Sequence, residues 1–283
     1  MVKPRIDTML FPQGKSKALT LSYDDGVIQD RKLVALMNTY NVKGTFNLGS
    51  GVLGVIDKAA FEGKTVDVSK VGPDEVKDLY AGHEVAGHGL YHSSLANIGT
   101  PAAMYEIIED KRRLEELSGR CVRGFAYPFG IFDDTVKKML ELAGYEYARV
   151  VPSTGGFELP QDFLEWKATC HHNDERLMEL AKKFCESGGR FRRPELFYLW
   201  GHAYEFDIND NWDVIENFLK YVSRFGDIIW FATNIEICDY IKAYRSLKYS
   251  ADAKTIYNPS ATAVWLNIYG ETYKLDGGTV IKL

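Results

Sequence analysis

The sequence predicts an α/β protein, a parallel sheet covered by helices, with a small antiparallel β appendage at its C-terminal end. Three observations lead there. Seven short β-branched or aromatic runs each precede a segment with helical spacing, over about 230 residues. Alternation of this kind builds a parallel sheet with helices outside it. It stops near residue 245, where short strand-like runs and glycine turns take over. The chain of 283 residues is 46% hydrophobic and 26% charged, enough to bury a sizeable core and too apolar for wholesale disorder.

The first unit is a run at 18–23, followed by Leu33, Leu36, Met37 and Tyr40 on one helical face. The second run, 44–48, precedes a loop and a short helix opened by Pro73, a residue suited to a first turn. The third, 83–87, leads to a helix opened at Thr100-Pro101 and closed at Gly119. Its expected buried stripe is Met104, Ile107, Ile108, Leu114 and Leu117. The fourth, 123–127, precedes a helix capped by Asp133 or Asp134 and ended by Gly144. The fifth, 147–151, leads through a long loop to a helix capped by Asp174, with Leu177, Leu180, Ala181 and Phe184 inward. The sixth, 195–200, precedes Ile215, Phe218, Leu219 and Val222, and the seventh, 227–232, precedes Ile237, Tyr240, Ile241 and Tyr244. Runs at 263–270, 271–275 and 277–283 read as three strands with turns at Gly270 and Gly277-Gly278. About 40 residues are too few for an independent core. The expected organisation is therefore a main domain at 1–245 with residues 246–283 packed on it. Periodicity leaves open whether the seven units close into a barrel or form an open doubly wound sheet.

Charge narrows the function. Lys plus Arg number 34 and Asp plus Glu 39, a net charge of −5. Nucleic-acid binding and polybasic membrane anchoring both need excess positive charge, so neither is expected. No apolar run approaches the ~18 residues of a membrane span. The N-terminal segment, broken by Pro4 and Pro12, has no apolar signal region. Cys121, Cys170, Cys185 and Cys238 form no Cys-x-x-Cys pair and read as reduced thiols. Both features point to a cytoplasmic protein.

The unusual polar residues gather at the carboxyl ends of the predicted strands, where α/β sheets and barrels build their sites. Asp24 and Asp25 follow the first strand, His88 and His92 the third, and Pro128-Phe129-Gly130 the fourth. Arg149 lies at the end of the fifth and His202 follows the sixth. The Asp24-Asp25 pair reads either as a helix N-cap or as a division of labour, one carboxylate binding a metal and the other acting as a base. His88-x-x-x-His92 is either two structural histidines or a pair that directs both imidazoles at one ion. His83, inside a strand pattern, reads as structural.

In series, these segments resemble the polysaccharide deacetylase family, carbohydrate esterase family 4, also called the NodB homology domain. Ser22-Tyr23-Asp24-Asp25-Gly26 resembles its first motif, commonly Thr-Phe-Asp-Asp-Gly. His88-Gly89-Leu90-Tyr91-His92, with the lead-in Gly82-His83-Glu84, resembles its second, His-Ser/Thr-x-x-His. Phe125-Ala126-Tyr127-Pro128-Phe129-Gly130 is loosely similar to the third, Phe-Arg-Pro-Pro-Tyr-Gly. Phe197-Tyr198-Leu199-Trp200-Gly201-His202 resembles the last, an apolar strand ending in His. The resemblance spans about residues 15–245 and omits the C-terminal strands. It implies a distorted (β/α)7 barrel. It also implies a hydrolase that removes acetyl groups from an N-acetylated, or O-acetylated, carbohydrate by attack of metal-activated water. By position it implies Asp25, His88 and His92 as metal ligands and Asp24 as general base. The Phe129 backbone N–H is the implied oxyanion donor and His202 the general acid. An Asp-His-His set suits one divalent ion, Zn²⁺ first, with Co²⁺, Ni²⁺ or Fe²⁺ as alternatives.

There are departures. The third motif's Arg, which tunes the base, is replaced by Ala126, and Arg149 is favoured over Arg123 as its substitute. The fourth motif's Asp and Trp, which tune the acid, have their nearest candidates in Asp162 and Trp166. Tyr127, Trp166, His171, His172 and Trp200 are the candidate substrate contacts. Tyr204-Glu205-Phe206-Asp207 either closes over the site or is a solvated loop. Two rival readings are an amidase on a small cyclic amide or imide, and a degenerate site that binds sugar without cleaving it. The intact Asp-His-His set stands against the metal-free members of the first class. The retained Asp24 and His202 stand against the second. A soluble oligosaccharide fits the lack of a visible signal better than a cell-wall polymer.

Overall fold

Asp24, Asp25, His88, His92, Phe129, Arg149 and His202 sit on or just beyond the strands of one parallel sheet in the computed structural model, which describes residues 7–61, 63–187 and 193–283. Its strands are β1 (Lys17–Asp24), β2 (Thr45–Leu48), β3 (Glu84–Gly87), β4 (Gly124–Ala126), β5 (Tyr147–Ser153), β6 (Trp166–Ala168), β7 (Cys170–His171), β8 (Glu195–His202) and β9 (Ile229–Phe231). β1 to β6 pair in chain order, β7 pairs with β8, and β8 runs beside β1 from Glu195↔Lys17 to His202↔Asp24. Only Thr169 separates β6 from β7. Its N–H donates to Tyr198 O at 2.8 Å, and its Oγ1 accepts from Tyr198 N–H at 3.1 Å. One extended segment therefore leaves β5 and joins β8, and this nearly closes the sheet into a distorted (β/α) barrel. The ring is thinnest between β3 and β4, which share the single register pair Gly87↔Phe125. β9 pairs with the first half of β1 and β2 with the second.

The seven predicted strands are present as β1 to β5, β8 and β9. The segment at 166–171 lies in what reads as a loop. Its two pieces, three and two residues long, are too short to show a period of two.

β1 shows how the sheet serves the site. Successive side chains point to opposite faces. Leu19, Leu21 and Tyr23 join the core beneath the helices. Thr20, Ser22 and Asp24 bond to Asn234 and Asn47 instead, and so form a polar barrel interior that ends at Asp24.

Eight helices are described: α1 (Asp30–Thr39), α2 (Val76–Leu79), α3 (Thr100–Ser118), α4 (Asp134–Leu142), α5 (Leu177–Glu186), α6 (Glu205–Ile208), α7 (Trp212–Val222) and α8 (Asn234–Arg245). Asp133 caps α4, accepting from Val136 N–H at 2.8 Å. Gly119 ends α3 in the left-handed region, φ 69°, which glycine adopts without a Cβ penalty. Two expectations change. Asp174 does not cap α5; its carboxylate turns to Arg176 N–H, 2.9 Å, and the helix starts at Leu177. Ile108 of the predicted stripe is exposed, and the buried face of α3 is Ala103, Glu106, Ile107, Asp110, Leu114 and Ser118.

The C-terminal strands do not form one sheet. Val264–Ile268 and Glu271–Leu275 form a hairpin whose free edge pairs with an N-terminal strand, Asp7–Leu10. Val280–Lys282 instead pairs with Thr255–Tyr257, which pairs with Lys248–Tyr249. Tyr240 of α8 ties the first sheet to the barrel: its Oη donates to Leu10 O and accepts from Trp265 N–H at 2.9 Å. Residues 1–6, including Pro4, lie outside the described residues. No helix among the described residues is long and apolar enough to cross a membrane.

Candidate active site

β1 delivers Asp24 to the barrel mouth at 2% exposure. Asp25 then turns the chain with φ 80°, its N–H held by Asn47 O at 2.9 Å. Asp24 Oδ1 accepts from Asn47 Nδ2 at 2.7 Å and Oδ2 accepts from the Arg149 guanidinium. Arg149 is itself buried and stacks over the Trp200 ring, 4.2 Å from its centroid. On β5 it sits in register with Ala126 of β4. The guanidinium thus comes from the strand beside the one where the resembling motif carries its Arg. Burial pushes the Asp24 pKa up, but Arg149, with His88 and His202, more than offsets this and leaves it below the ordinary carboxylate value.

His88 follows β3. Its Nδ1 lies 2.8 Å from Ala126 O. A carbonyl can only accept, so Nδ1 carries the proton and Nε2 presents a lone pair. That Nε2 lies 3.9 Å from Asp25 Oδ1, and so does His92 Nε2. The three donor atoms lie within 4.8 Å of one another. The tautomer of His88 and the mixed N/O donor set both fit a divalent cation with coordination positions left open. Lys70 Nζ lies 3.8 Å from the other Asp25 oxygen, Oδ2.

α3 holds this loop from behind. Asp110 accepts from Ser50 N–H at 2.7 Å and His88 N–H at 3.1 Å. Glu106 accepts from Tyr91 N–H at 2.9 Å and Ser93 Oγ at 3.0 Å. Sequence reasoning missed both acids. The available signal is their spacing, four apart and interleaved with Ala103, Ile107 and Leu114 on one helical face.

On the other side, His202 Nε2 lies 3.8 Å from Asp24 Oδ2. Its Nδ1 is bonded to Glu205 Oε1 at 3.0 Å. Glu205 also meets His172 Nε2 at 2.8 Å, His171 Nε2 at 3.2 Å and Asn173 Nδ2 at 3.1 Å. His171, His202 and Glu205 have the spacing of a metal site. However, His171 Nδ1 accepts from Asn173 N–H at 3.1 Å, so the His171 proton sits on Nε2 and no lone pair faces the cluster. The cluster is a hydrogen-bond network centred on Glu205. Burial pushes the His202 pKa down, but the bond to Glu205 and the Asp24 and Asp25 charges more than offset this and leave it raised.

Residues 12–148 match the family model described as polysaccharide deacetylase. Those residues, just under half of the chain, carry the likeness to the polysaccharide deacetylase family. No curated protein matches the sequence. Among solved structures it is similar to a putative polysaccharide deacetylase from Mycobacterium smegmatis, with TM-score 0.59, 15% identity, and 84% of this chain and 94% of that one covered. It is also similar to the carbohydrate esterase family 4 domain of a xylanase from the hindgut metagenome of Trinervitermes trinervoides, with TM-score 0.51, 14% identity, and 81% and 92% covered. A third likeness is to a family 4 pseudoenzyme from Bacillus anthracis, with TM-score 0.50, 15% identity, and 82% and 68% covered. At these identities the likenesses are of fold.

Several of the expected substrate contacts are buried. Trp166 is 1% exposed and packs edge-on against Tyr147, Phe163 and Tyr198. Tyr127 is equally buried, stacked on Phe132 with Oη donating to Leu164 O at 3.0 Å. His172 is sandwiched between Tyr23 and Phe206, under Gly201, where a Cβ would come within 2.1 Å of its Nδ1. Trp200 lies under Arg149 and edge-on to His171. Among these five, His171 is the one that stays partly exposed. Apolar packing claims large aromatics before the mouth can use them. Asp162 does not reach His202: it pairs with Lys137 at 2.8 Å and caps a turn at Leu164. Segment 204–207 forms site wall rather than a solvated loop, since Phe206 is fully buried and Asp207 accepts from Gln29 and Trp212. The side chains that line the mouth are others than those five. Phe129 is 61% exposed with its ring 4.5 Å from His92, and Tyr91, before His92, is 53% exposed. Tyr204 lies beside His202 and stacks on Phe61 of the hairpin Lys58–Phe61/Lys64–Asp67.

Proposed function

We propose that this deacetylase hydrolyses the acetamido group of an N-acetylated sugar, using a divalent cation, Zn²⁺ first, held by Asp25, His88 and His92. The observation that carries the reading is the placement of Asp25 Oδ1 at 3.9 Å from both imidazole Nε2 atoms, with Asp24 and His202 beside it. A cation bound there supplies a Lewis acid that lowers the pKa of water and polarises the acetyl carbonyl. The chain's own residues do the rest. Asp24, kept ionised by Arg149, accepts a proton from the attacking water at its carboxylate. The Phe129 N–H, in a turn with φ 59°, donates to the oxygen that gains charge. His202, its Nδ1 proton held by Glu205, gives its Nε2 proton to the departing sugar amine. Exposed Phe129 and Tyr91, with half-buried Tyr204, offer apolar faces to a neutral sugar ring.

The test is acetate release from chito-oligosaccharides by zinc-loaded protein, alongside acetylated xylo-oligosaccharides. His88→Ala and His92→Ala should each lose stoichiometric zinc and acetate release while staying folded. Full zinc occupancy in the double variant would sink the assignment. Release from the xylo-oligosaccharides alone would move it to O-deacetylation. Hydrolysis of a cyclic imide without acetate release would favour the amidase.

A further inference from the structure

Resting on the assignment of Asp25, His88 and His92 as the cation cradle, we propose that Lys70 weakens the grip of that cradle on its cation by sharing the Asp25 carboxylate. Nothing in the sequence motifs marks Lys70. The chain places it there by bolting its segment to two neighbours. Ile28 N–H donates to Ser69 O at 2.9 Å, and Val71 N–H to Gly26 O at 2.8 Å. Lys70 N–H donates to Val55 O at 2.9 Å, and Val27 and Lys70 form an isolated β-bridge. The backbone of Lys70 is thus fixed against the turn that presents Asp25.

The ammonium is 3.8 Å from Asp25 Oδ2, while Oδ1 faces the two histidines. That separation is beyond hydrogen-bond range, so Lys70 acts on Asp25 as a point charge and does not orient it. Asn47 O accepts from the Asp25 N–H at 2.9 Å and so fixes the backbone that presents the carboxylate. The other carboxyl near Lys70, Asp30, is buried against Tyr80, and burial pushes its pKa to about 8. It is therefore mostly neutral at pH 7 and leaves the ammonium's charge to fall on Asp25. The Lys70 side chain is 19% exposed, so water screens this charge only in part. A positive charge beside a dication's anionic ligand repels the ion and takes up part of the ligand's charge. The consequence is a cation held less tightly, which keeps more of its Lewis acidity for substrate.

The experiment measures zinc affinity by chelator competition on the full chain, with metal-free thermal unfolding as the check on folding. Lys70→Met keeps the length of the stem and removes the charge. It should bind zinc on the order of 10-fold more tightly than wild type. Lys70→Arg keeps the charge and should stay within about 3-fold of wild type. Equal or weaker affinity in Lys70→Met would overturn the proposal. So would an equal gain in both variants, which would make the effect steric. Wild-type protein that binds no zinc would overturn the cradle and the proposal together, a failure told apart from the first two by the wild-type titration alone.

Discussion

Asp24 and Asp25 are neighbours in sequence, yet different cations face them: Arg149 bonds Asp24, and Lys70 lies 3.8 Å from Asp25. That separates their work: Asp24 is locked into the barrel interior, while Asp25 turns outward toward the histidines. The Arg149 pair is almost fully buried, so removing one partner strands a charge. Arg149→Met should cost about 3–5 kcal/mol of stability. It should also lower kcat on the order of 10²-fold, the scale of one impaired proton transfer. Urea unfolding and acetate release measure the two effects, and a stable variant with wild-type kcat would remove Arg149 from the mechanism. In the proposed mechanism Glu205 is a positioning residue, because it would act through His202. Its charge raises the His202 pKa, so its removal lowers it. Since the acid must be protonated, Glu205→Gln should move the alkaline limb of the kcat profile to lower pH, with zinc content unchanged. An unmoved limb would leave Glu205 a purely structural group.

At the scale of elements, the site depends on helices and turns that carry no chemistry themselves. Asp25, His92 and Phe129 all adopt positive φ, 80°, 58° and 59°, which side-chain-bearing residues rarely do. Such conformations persist only where the surroundings over-determine them. α3 supplies part of that restraint through Glu106 and Asp110. Asp110→Ala would leave the buried Ser50 N–H without its acceptor, while the His88 N–H would keep Leu48 O at 3.0 Å. It should destabilise the protein by about 1–3 kcal/mol and weaken zinc binding by about 10-fold. Denaturant unfolding and chelator competition test this. A loss of stability with unchanged zinc affinity would show that α3 supports the fold without positioning His88.

At the scale of the molecule, the barrel and its appendage share the strand Asp7–Leu10. That strand pairs with Val264–Ile268, and Met9 and Phe11 bury themselves beside Tyr240 and Trp230. Every residue assigned to the site lies before residue 245, so a chain cut after Arg245 should keep its acetate release per folded molecule. It should also melt several degrees lower, because Asp7–Leu10 loses its partner strand and an apolar face opens. A folded, zinc-loaded truncation with no activity would place part of the site in the C-terminal strands.

The sequence by itself determined the alternation of strands and helices, the gathering of Asp24, Asp25, His88, His92 and His202 at one end of the strands, and the return of an arginine at residue 149. These were legible because they depend on local periodicity and on which residue ends a strand. Closure of the sheet through residues 166–171 was not, since those strand pieces gain their order from hydrogen bonds to β5 and β8. Nor was the fate of the aromatics. Trp166 and Tyr127 resemble rim residues in sequence, but the core takes them because a large apolar ring gains most by leaving water entirely. Glu106, Asp110 and Lys70 escaped notice, and the role of Glu205 with them, for the same reason. Each carries an ordinary charge that becomes informative only when tertiary packing buries it against a particular partner, and burial is what turns a solvated charge into one that must be matched.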